Sequence, residues 1–383
     1  MIIRLILAGL VVTPFILAPG NSDIAREPKM AWALVFALLV GLAALYRGAL
    51  KPFRNKWALA LVGFSLLSFY LSPKPDLMLF GIESGRFWSW EPLYQGVVFL
   101  LFAVTVASIK VTRTHIATLF KTMILCGVVM AGFVLLQAAG LDQFFEHRFG
   151  TYGHMAGTLG NEVLVGPFLC LIIPLALWKK EYLFTAIMAS AIIVSRSDVA
   201  LIGMIGTFCA YAAFKNRRCF FVVGGLTVTV VAVVASMYFS SPEFRRICPD
   251  NERFLTWRQS VGDLTTPVMQ GSKKIYAMTG IGPGSFKYLF HAKHNQHNDN
   301  FLYAHNDPVQ VGYELGVLGF LIFCGLVFSI LFHKFGVDIS PTRRALMASF
   351  AGIMVCSGGI FILQIGTHVY YTLVIAGLLC NPS

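Results

Sequence analysis

A histidine and an asparagine, His305 and Asn306, stand directly in front of a long apolar segment. Asp307, Pro308 and Gln310 follow in the order of an N-cap, a first-turn proline and a capping-box partner, which predicts a helix from 308. A helix start favours anions, because its N–H groups are unpaired and its dipole end is positive. Histidine has an unperturbed pKa of about 6.5, so it could accept a proton from a hydroxyl group. The alternative is an ordinary interfacial histidine.

The helix behind His305 carries glycines at spacings of four and three residues, Gly312, Gly316 and Gly319. This spacing predicts one stripe where a neighbouring helix approaches closely. Glu314 is expected about 9 Å inside the helix, at 1.5 Å per residue, and on the side away from the stripe. It either extends to the membrane surface or balances an arginine.

Arginine suits a diphosphate because its planar fork donates to two oxygens and does not lose its proton. Arg196 lies in the segment SRSDVAL beside Ser197 and Asp198, which are expected to cap the next helix. It either faces a ligand or lies at the membrane surface paired with Asp198.

The segment NERFLTWRQSVGDL predicts a short amphipathic helix after Asn251, with Phe254, Trp257 and Val261 on its apolar face. Arg253 could bind an anion or make a cation–π contact with Trp257. Arg258 could supply a second donor fork or be a solvated charge.

Composition identifies the class of protein around these residues. The chain is 57% hydrophobic and only 13% charged, whereas soluble domains carry about 25% charged residues. Its apolar runs do not alternate in period two, so membrane helices are predicted and not a barrel. We predict an all-α polytopic membrane protein, one membrane domain over 1–383. Its twelve spans are expected at 3–19, 30–46, 57–73, 93–109, 118–140, 163–178, 182–195, 199–214, 219–240, 309–332, 344–366 and 368–381.

The loops between these spans differ in charge. Just over half of the 30 Lys and Arg residues fall in loops of one side with only two acidic residues, which predicts cytoplasmic termini. The net charge of +12 therefore reflects topology more than nucleic-acid binding. One long loop, 241–305, is expected on the opposite side.

The positions of the cysteines and histidines indicate neither a disulfide framework nor a metal centre. Most of the 8 cysteines fall in or beside apolar spans, and no CxxC spacing occurs. His291, His294 and His297 recur every three residues without an ordering carboxylate pattern, so no metal is expected.

The pattern His305-Asn306, nine residues, Gly316, two residues, Gly319 resembles the H-[NSQ]-x9-G-x-x-G pattern of the bacterial O-antigen ligase family. The wider superfamily includes O-antigen polymerases and protein O-oligosaccharyltransferases. The resemblance covers roughly 150–325, and the twelve spans with a long periplasmic loop between spans nine and ten resemble the family layout. It implies a glycosyltransferase-C-like fold in the bacterial inner membrane, with the active site facing the periplasm.

The resemblance also implies roles for single residues. Arg196 and Arg253 would grip the diphosphate of the lipid carrier, and His305 would act as base or acceptor orienter. Two positions depart from the family: Glu162 and Val163 replace a Pro-Asn pair, and Trp257 replaces the leucine of R-x3-L. Further substrate-binding candidates are Arg258, Asn306, Glu314 and Asn161.

Asn161 closes the turn GTLGN before span six, and the alternative for it is a simple turn that starts a helix. The segment TGIGPGSF resembles the family's turn before the histidine motif. It lacks the Gly-Lys-Ser/Thr of a phosphate-binding loop, so a structural turn is expected there.

The implied function is transfer of a glycan from undecaprenyl diphosphate to a lipid A core or related acceptor, in contact with membrane lipid and without a cofactor or nucleic acid. A surface-polysaccharide polymerase is the alternative within the superfamily. A transporter or flippase is an alternative from another class, although transporters usually carry internal repeats and broken midplane helices.

Overall fold

A computed structural model of the chain describes residues 1–17, 26–50, 55–72, 92–141, 155–215, 252–265, 276–286, 290, 303–332 and 339–381. Every regular element within these ranges is helical. The α-helices are α1 Ile2–Phe15, α2 Arg26–Tyr46, α3 Lys56–Leu71, α4 Pro92–Ser108, α5 Arg113–Ala138, α6 Glu162–Trp178, α7 Tyr182–Val194, α8 Asp198–Lys215, α9 Glu252–Thr265, α10 Asp307–Phe332, α11 Pro341–Ser357 and α12 Gly366–Cys380.

Each predicted span that the structure describes overlaps an α-helix, and the described residues confirm the all-α prediction; twelve membrane crossings stay a prediction. The ninth span, 219–240, lies outside the described residues. Four described helices, α2, α5, α8 and α10, are long and apolar enough to cross a membrane. The eleventh span was predicted too long, because Gly358 and Gly359 end α11 and a short 3₁₀-helix, Ile362–Gln364, follows.

The chain divides into two compact units. Unit 1 comprises Met1–Arg54, Tyr94–Tyr211 and Ile330–Ser383, and unit 2 comprises Asn55–Leu93 and Ala212–Ser329. Much of the predicted periplasmic loop, 241–305, lies outside the described residues. That loop and the single membrane domain over 1–383 stay predictions.

In unit 1, side chains of other helices supply a hydrogen bond that Pro14 removes from α1. Pro14 lies inside α1 and has no N–H, so the carbonyl of Leu10 loses its helical donor. Tyr371 Oη on α12 donates to that carbonyl over 2.6 Å, and Cys126 Sγ on α5 donates over 3.6 Å. An unpaired carbonyl in an apolar interior is costly, so these contacts fix α1 against two other helices.

The last carbonyls of α1 and the carbonyl of its C-cap residue, Ile16, also accept hydrogen bonds from side chains of unit 1. Such carbonyls have no partner within their own helix. Their donors are Thr367 Oγ1 to Thr13 O at 2.9 Å, Thr158 Oγ1 to Pro14 O at 2.7 Å, and the buried Lys29 Nζ to Ile16 O at 2.6 Å. A lysine ammonium is favourable here because a helix ends with a partial negative charge.

Unit 2 is organised around a break in α10. Gly316 has φ 68° and ψ −174°, which is not helical, although α10 continues on both sides. The turn 276–286 supplies hydrogen bonds at the break: Ile281 N–H to Tyr313 O at 3.2 Å, Gly282 N–H to Glu314 O at 2.9 Å, Val317 N–H to Ala277 O at 2.9 Å and Leu318 N–H to Met278 O at 3.3 Å. The segment TGIGPGSF is therefore a structural turn, as predicted.

Two glycines permit this close approach of backbones. A Cβ atom on Gly280 would overlap the backbone of Glu314 and Gly316, and one on Gly316 would overlap Gly280 and Met278. Both glycines also have positive φ, a conformation that costs glycine little. Ser68 Oγ on α3 lies 2.7 Å from Thr279 O and 3.1 Å from Glu314 O, so it contacts both sides of the junction.

The predicted glycine stripe is wrong as one continuous packing surface. Gly316 contacts the turn, whereas Gly319 faces Phe64 on α3. Gly312 has no described atom within 4 Å of the place of a Cβ. The prediction assumed an unbroken helix, and the break at Gly316 changes which side each glycine faces.

An aromatic cluster fills the space between the turn and α10. Phe286 and Phe290 stack with ring centroids 4.6 Å apart, and the Tyr313 ring meets Phe286 edge-on at 5.1 Å. Ala304, the residue before His305, is buried in the same cluster. The histidine motif therefore rests on a small aromatic core.

Candidate functional site

His305 adopts a left-handed backbone conformation directly before α10, with φ 51°. For a residue with a Cβ this conformation costs about 1–2 kcal/mol. The side chain is half-buried, and its Nδ1 atom is buried. Strained backbone persists only where its surroundings hold it, and it is often found at functional sites.

The cap of α10 lies one residue earlier than predicted. The helix begins at Asp307, and Asn306 Oδ1 accepts from Val309 N–H at 3.0 Å, so Asn306 is the N-cap and not Asp307. Asparagine and aspartate cap equally well, and the left-handed His305 turns the chain so that Asn306 reaches the helix. The carboxamide oxygen of this substrate-binding candidate is thus used by the helix.

Two side chains hold the peptide groups of Ala304 on either side of that residue. Trp257 Nε1 on α9 donates to Ala304 O over 2.7 Å. Ala304 N–H donates to Gln310 Oε1 over 3.4 Å, a longer and therefore weaker bond. The predicted capping box is therefore wrong: Gln310 reaches back beyond the helix start, but it accepts from Ala304 N–H and not from the N–H of the N-cap residue. We call this arrangement the Ala304 clamp.

Glu314 accepts a hydrogen bond from Gln310 Nε2 at its Oε1 atom, over 3.1 Å. The two residues lie four apart on α10, so this is a contact within one helix face. The predicted pairing of Glu314 with an arginine stays a prediction. The bond orients the Gln310 side-chain amide so that its Oε1 atom points toward the N–H group of Ala304.

Helix α9 packs against the rest of unit 2 with a different face than the one predicted from its apolar residues. Val261 is 60% exposed, whereas Thr256, Ser260 and Asp263 are buried. The reason is a polar contact: the buried Tyr313 hydroxyl hydrogen-bonds the Asp263 carboxyl. The apolar face over Phe254, Trp257 and Val261 is therefore wrong at Val261.

The two loop arginines both belong to α9. Arg258 is exposed and directly follows Trp257, whose ring nitrogen bonds Ala304. Arg253 lies four residues before Trp257 in the same helix, and its side chain is outside the described residues. Within unit 2, helix α9 and the histidine motif are thus brought together through Trp257.

Arg196 lies in unit 1, between α7 and α8, and has φ 54°. Its N–H bonds Ile193 O at 3.3 Å, so it occupies the position after a helix end where glycine is usual. Ser197 Oγ accepts from Ala200 N–H at 3.3 Å, which confirms the predicted serine cap of α8. Arg196 is exposed, and no ion pair joins it to Asp198 or to another described residue.

Asn161 also lies in unit 1, where it caps α6. Its Oδ1 accepts from Val163 N–H at 2.8 Å, and Gly157 and Gly160 with positive φ form the turn before it. The turn that starts a helix is thus present. A substrate contact of Asn161 stays a prediction.

No group of three or more His, Cys, Asp or Glu residues suited to a metal ion occurs in the described part of the chain. His291, His294 and His297 lie outside it.

Sequence reasoning missed the Ala304 clamp. One signal was available: a tryptophan in a folded loop usually finds a partner for its N–H. The identity of that partner depends on tertiary structure, because Trp257 and Ala304 are 47 residues apart.

No protein-family model matches the chain, and no curated protein is significantly similar to it in sequence.

Proposed function

We propose that this chain is a metal-independent glycosyltransferase of the O-antigen ligase type. It would move a glycan from undecaprenyl diphosphate to a hydroxyl group of a lipid A core or a related acceptor. The observation that carries the proposal is the geometry of the histidine motif. His305 lies at the start of α10, and Gly316 breaks the same helix against the turn 276–286. The histidine and the first glycine of the H-[NSQ]-x9-G-x-x-G pattern therefore have linked roles, since Gly316 seats the helix that carries His305.

In the proposed reaction, His305 accepts the proton of the acceptor hydroxyl while the oxygen bonds to the anomeric carbon of the sugar. The bond from that carbon to the diphosphate oxygen breaks, and its electron pair leaves with undecaprenyl diphosphate. The leaving group gains negative charge in this step. Arginine side chains can stabilise that charge.

The arginines support this proposal because two of them are exposed and could bind a diphosphate. Arg196 and Arg258 are exposed, and neither is neutralised by an ion pair with a described residue. Arg196 also keeps a backbone conformation that glycine would adopt more easily, as does His305. Arg253 is proposed to bind the diphosphate as well, because it lies in α9 together with Arg258. Asn161, Asn306 and Glu314 complete the proposed substrate contacts.

The proposal includes a membrane setting. The chain would cross the bacterial inner membrane twelve times, with both termini in the cytoplasm and the site facing the periplasm. The apolar helices and the concentration of basic residues in the loops of one side support this topology.

The break in α10 does not favour a transporter over an enzyme. Discontinuous helices in transporters offer free backbone groups to ions and substrates. Here the carbonyls of Tyr313 and Glu314 and the N–H groups of Val317 and Leu318 bond the turn 276–286 instead.

The test is transfer in vitro. Purified protein is mixed with lipid-linked oligosaccharide and rough lipopolysaccharide, with and without EDTA, and the glycosylated product is separated by electrophoresis. We expect product in both conditions and none from His305→Ala. A His305→Ala protein that inserts normally and retains full activity would contradict the role of the histidine.

The polymerase alternative is separated by a deletion strain. Loss of a ligase leaves long polymer on the carrier, whereas loss of a polymerase leaves single units. Labelled lipid-linked sugar in proteoliposomes separates both from a transporter, because only an enzyme forms a new glycosidic bond.

A further inference from the structure

We infer that Trp257 and Gln310 are positioning residues for His305, acting through the backbone of Ala304. This inference rests on the proposed function. The two side chains grip the residue before the histidine from two directions, one from α9 and one from α10. Neither needs to touch substrate to affect the reaction.

The backbone of His305 explains why a grip is needed. A left-handed residue before a helix can relax to an extended or helical conformation, and either change would move the imidazole ring by several ångströms. Asn306 fixes the chain after the histidine by capping α10. The Ala304 clamp fixes the chain before it, so His305 is held at both of its ends.

Each part of the clamp is itself held in place. Gln310 is oriented by its bond to Glu314 on the same helix face. Trp257 belongs to α9, which is anchored by the bond between Asp263 and the buried Tyr313. Ala304 is fully buried, so water cannot replace either partner.

The bond lengths predict which variant has the larger effect. The Trp257 bond is 2.7 Å and the Gln310 bond is 3.4 Å, so Trp257 holds the peptide more firmly. A displacement of about 1 Å at a reacting group can lower a rate by about 100-fold. We expect kcat to fall about 10- to 100-fold in Trp257→Phe, which keeps an aromatic side chain but is smaller and lacks the indole N–H. In Gln310→Leu we expect a smaller fall, of about 3- to 10-fold.

The experiment measures kcat and KM for the lipid-linked donor in purified full-length protein. Trp57→Phe is the matched control, because Trp57 is an exposed tryptophan of unit 2. A positioning role lowers kcat of the folded protein while KM stays near wild type; because the lost buried bond also lowers the thermal midpoint, kcat is measured well below the midpoint, where general destabilisation alone would leave it unchanged. Amide hydrogen exchange of the peptide spanning 303–306 is measured in the same samples, and we expect Gln310→Leu to speed exchange at Ala304 by about 10-fold.

The outcomes separate this inference from the proposed function. Full kcat in both clamp variants, with no activity in His305→Ala, overturns the inference and leaves the proposed function standing. If the wild-type protein transfers no glycan, the proposed function fails. The clamp is then judged on exchange alone: unchanged exchange at Ala304 in Gln310→Leu overturns it, and faster exchange supports it.

Discussion

Replacing Arg196 by glycine and, separately, by alanine distinguishes the role of its side chain from that of its backbone. Both changes remove the guanidinium group, but only glycine adopts φ 54° without strain. Alanine retains the cost of the left-handed conformation, about 1–2 kcal/mol. Glycine gains freedom in the unfolded chain, which offsets about 0.4–1 kcal/mol of that difference. Arg196→Gly should therefore unfold with a free energy about 0.5–1 kcal/mol higher than Arg196→Ala.

The assay is thermal unfolding in detergent at one scan rate. Cys126, Cys170 and Cys356 are buried free thiols, so a thiol-reactive fluorescent dye reports when unit 1 opens. About 1 kcal/mol shifts the midpoint by about 2–4 °C in chains of 150–250 residues. For this longer chain we expect the glycine variant to melt about 1–2 °C above the alanine variant. Both should transfer glycan about 100-fold more slowly than wild type, because each lacks one charged donor to the leaving group.

Lys180 provides a matched control. It has φ 62° after α6, the same conformation at the same kind of helix end. Lys180→Gly should also be more stable than Lys180→Ala, but both should keep wild-type activity. Equal midpoints for the two Arg196 variants would refute the strain argument, and full activity in Arg196→Gly would refute the role of the guanidinium group.

Three further predictions concern the fold and the chemistry. Gly280→Ala should lower the free energy of unfolding by more than about 3 kcal/mol, and with it the thermal midpoint, because the added Cβ meets backbone atoms. Gly312→Ala is the control and should leave the free energy of unfolding unchanged or raise it by up to about 1 kcal/mol. Tyr371→Phe should cost about 1–3 kcal/mol in thermal unfolding, and less in a Pro14→Ala background, where residue 14 supplies its own N–H to Leu10 O. Transfer activity should persist in excess EDTA, and a loss restored by Mg²⁺ or Mn²⁺ would contradict the metal-independent mechanism.

The positions of the helices were predictable because hydropathy and length report a local property of the chain. Span boundaries such as 182–195 and 199–214 agree with α7 and α8 to within a residue. The serine cap at Ser197 was also predictable, since capping depends on residues within one turn.

The break at Gly316 and the Ala304 clamp were not predictable from local patterns. The break depends on a contact between Gly280 and Gly316, which are far apart in the sequence. A glycine at four-residue spacing is equally typical of packing in an intact helix. The pattern therefore identified the important glycine but could not distinguish a break from a stripe.

The bonds at the end of α1 have a consequence for how the protein is made. Thr13 O accepts from Thr367, 354 residues later in the chain, and Leu10 O accepts from Tyr371, 361 residues later. A ribosome adding about 5–20 residues per second needs about 20–70 s to synthesise that interval. Helix α1 thus leaves the ribosome well before α12, and its backbone hydrogen bonds are complete only once α12 has been made. A truncated chain that lacks α12 would leave Thr13 O without this side-chain donor and Leu10 O with only the weak Cys126 donor, so α1 would stay incompletely bonded until α12 packs against it.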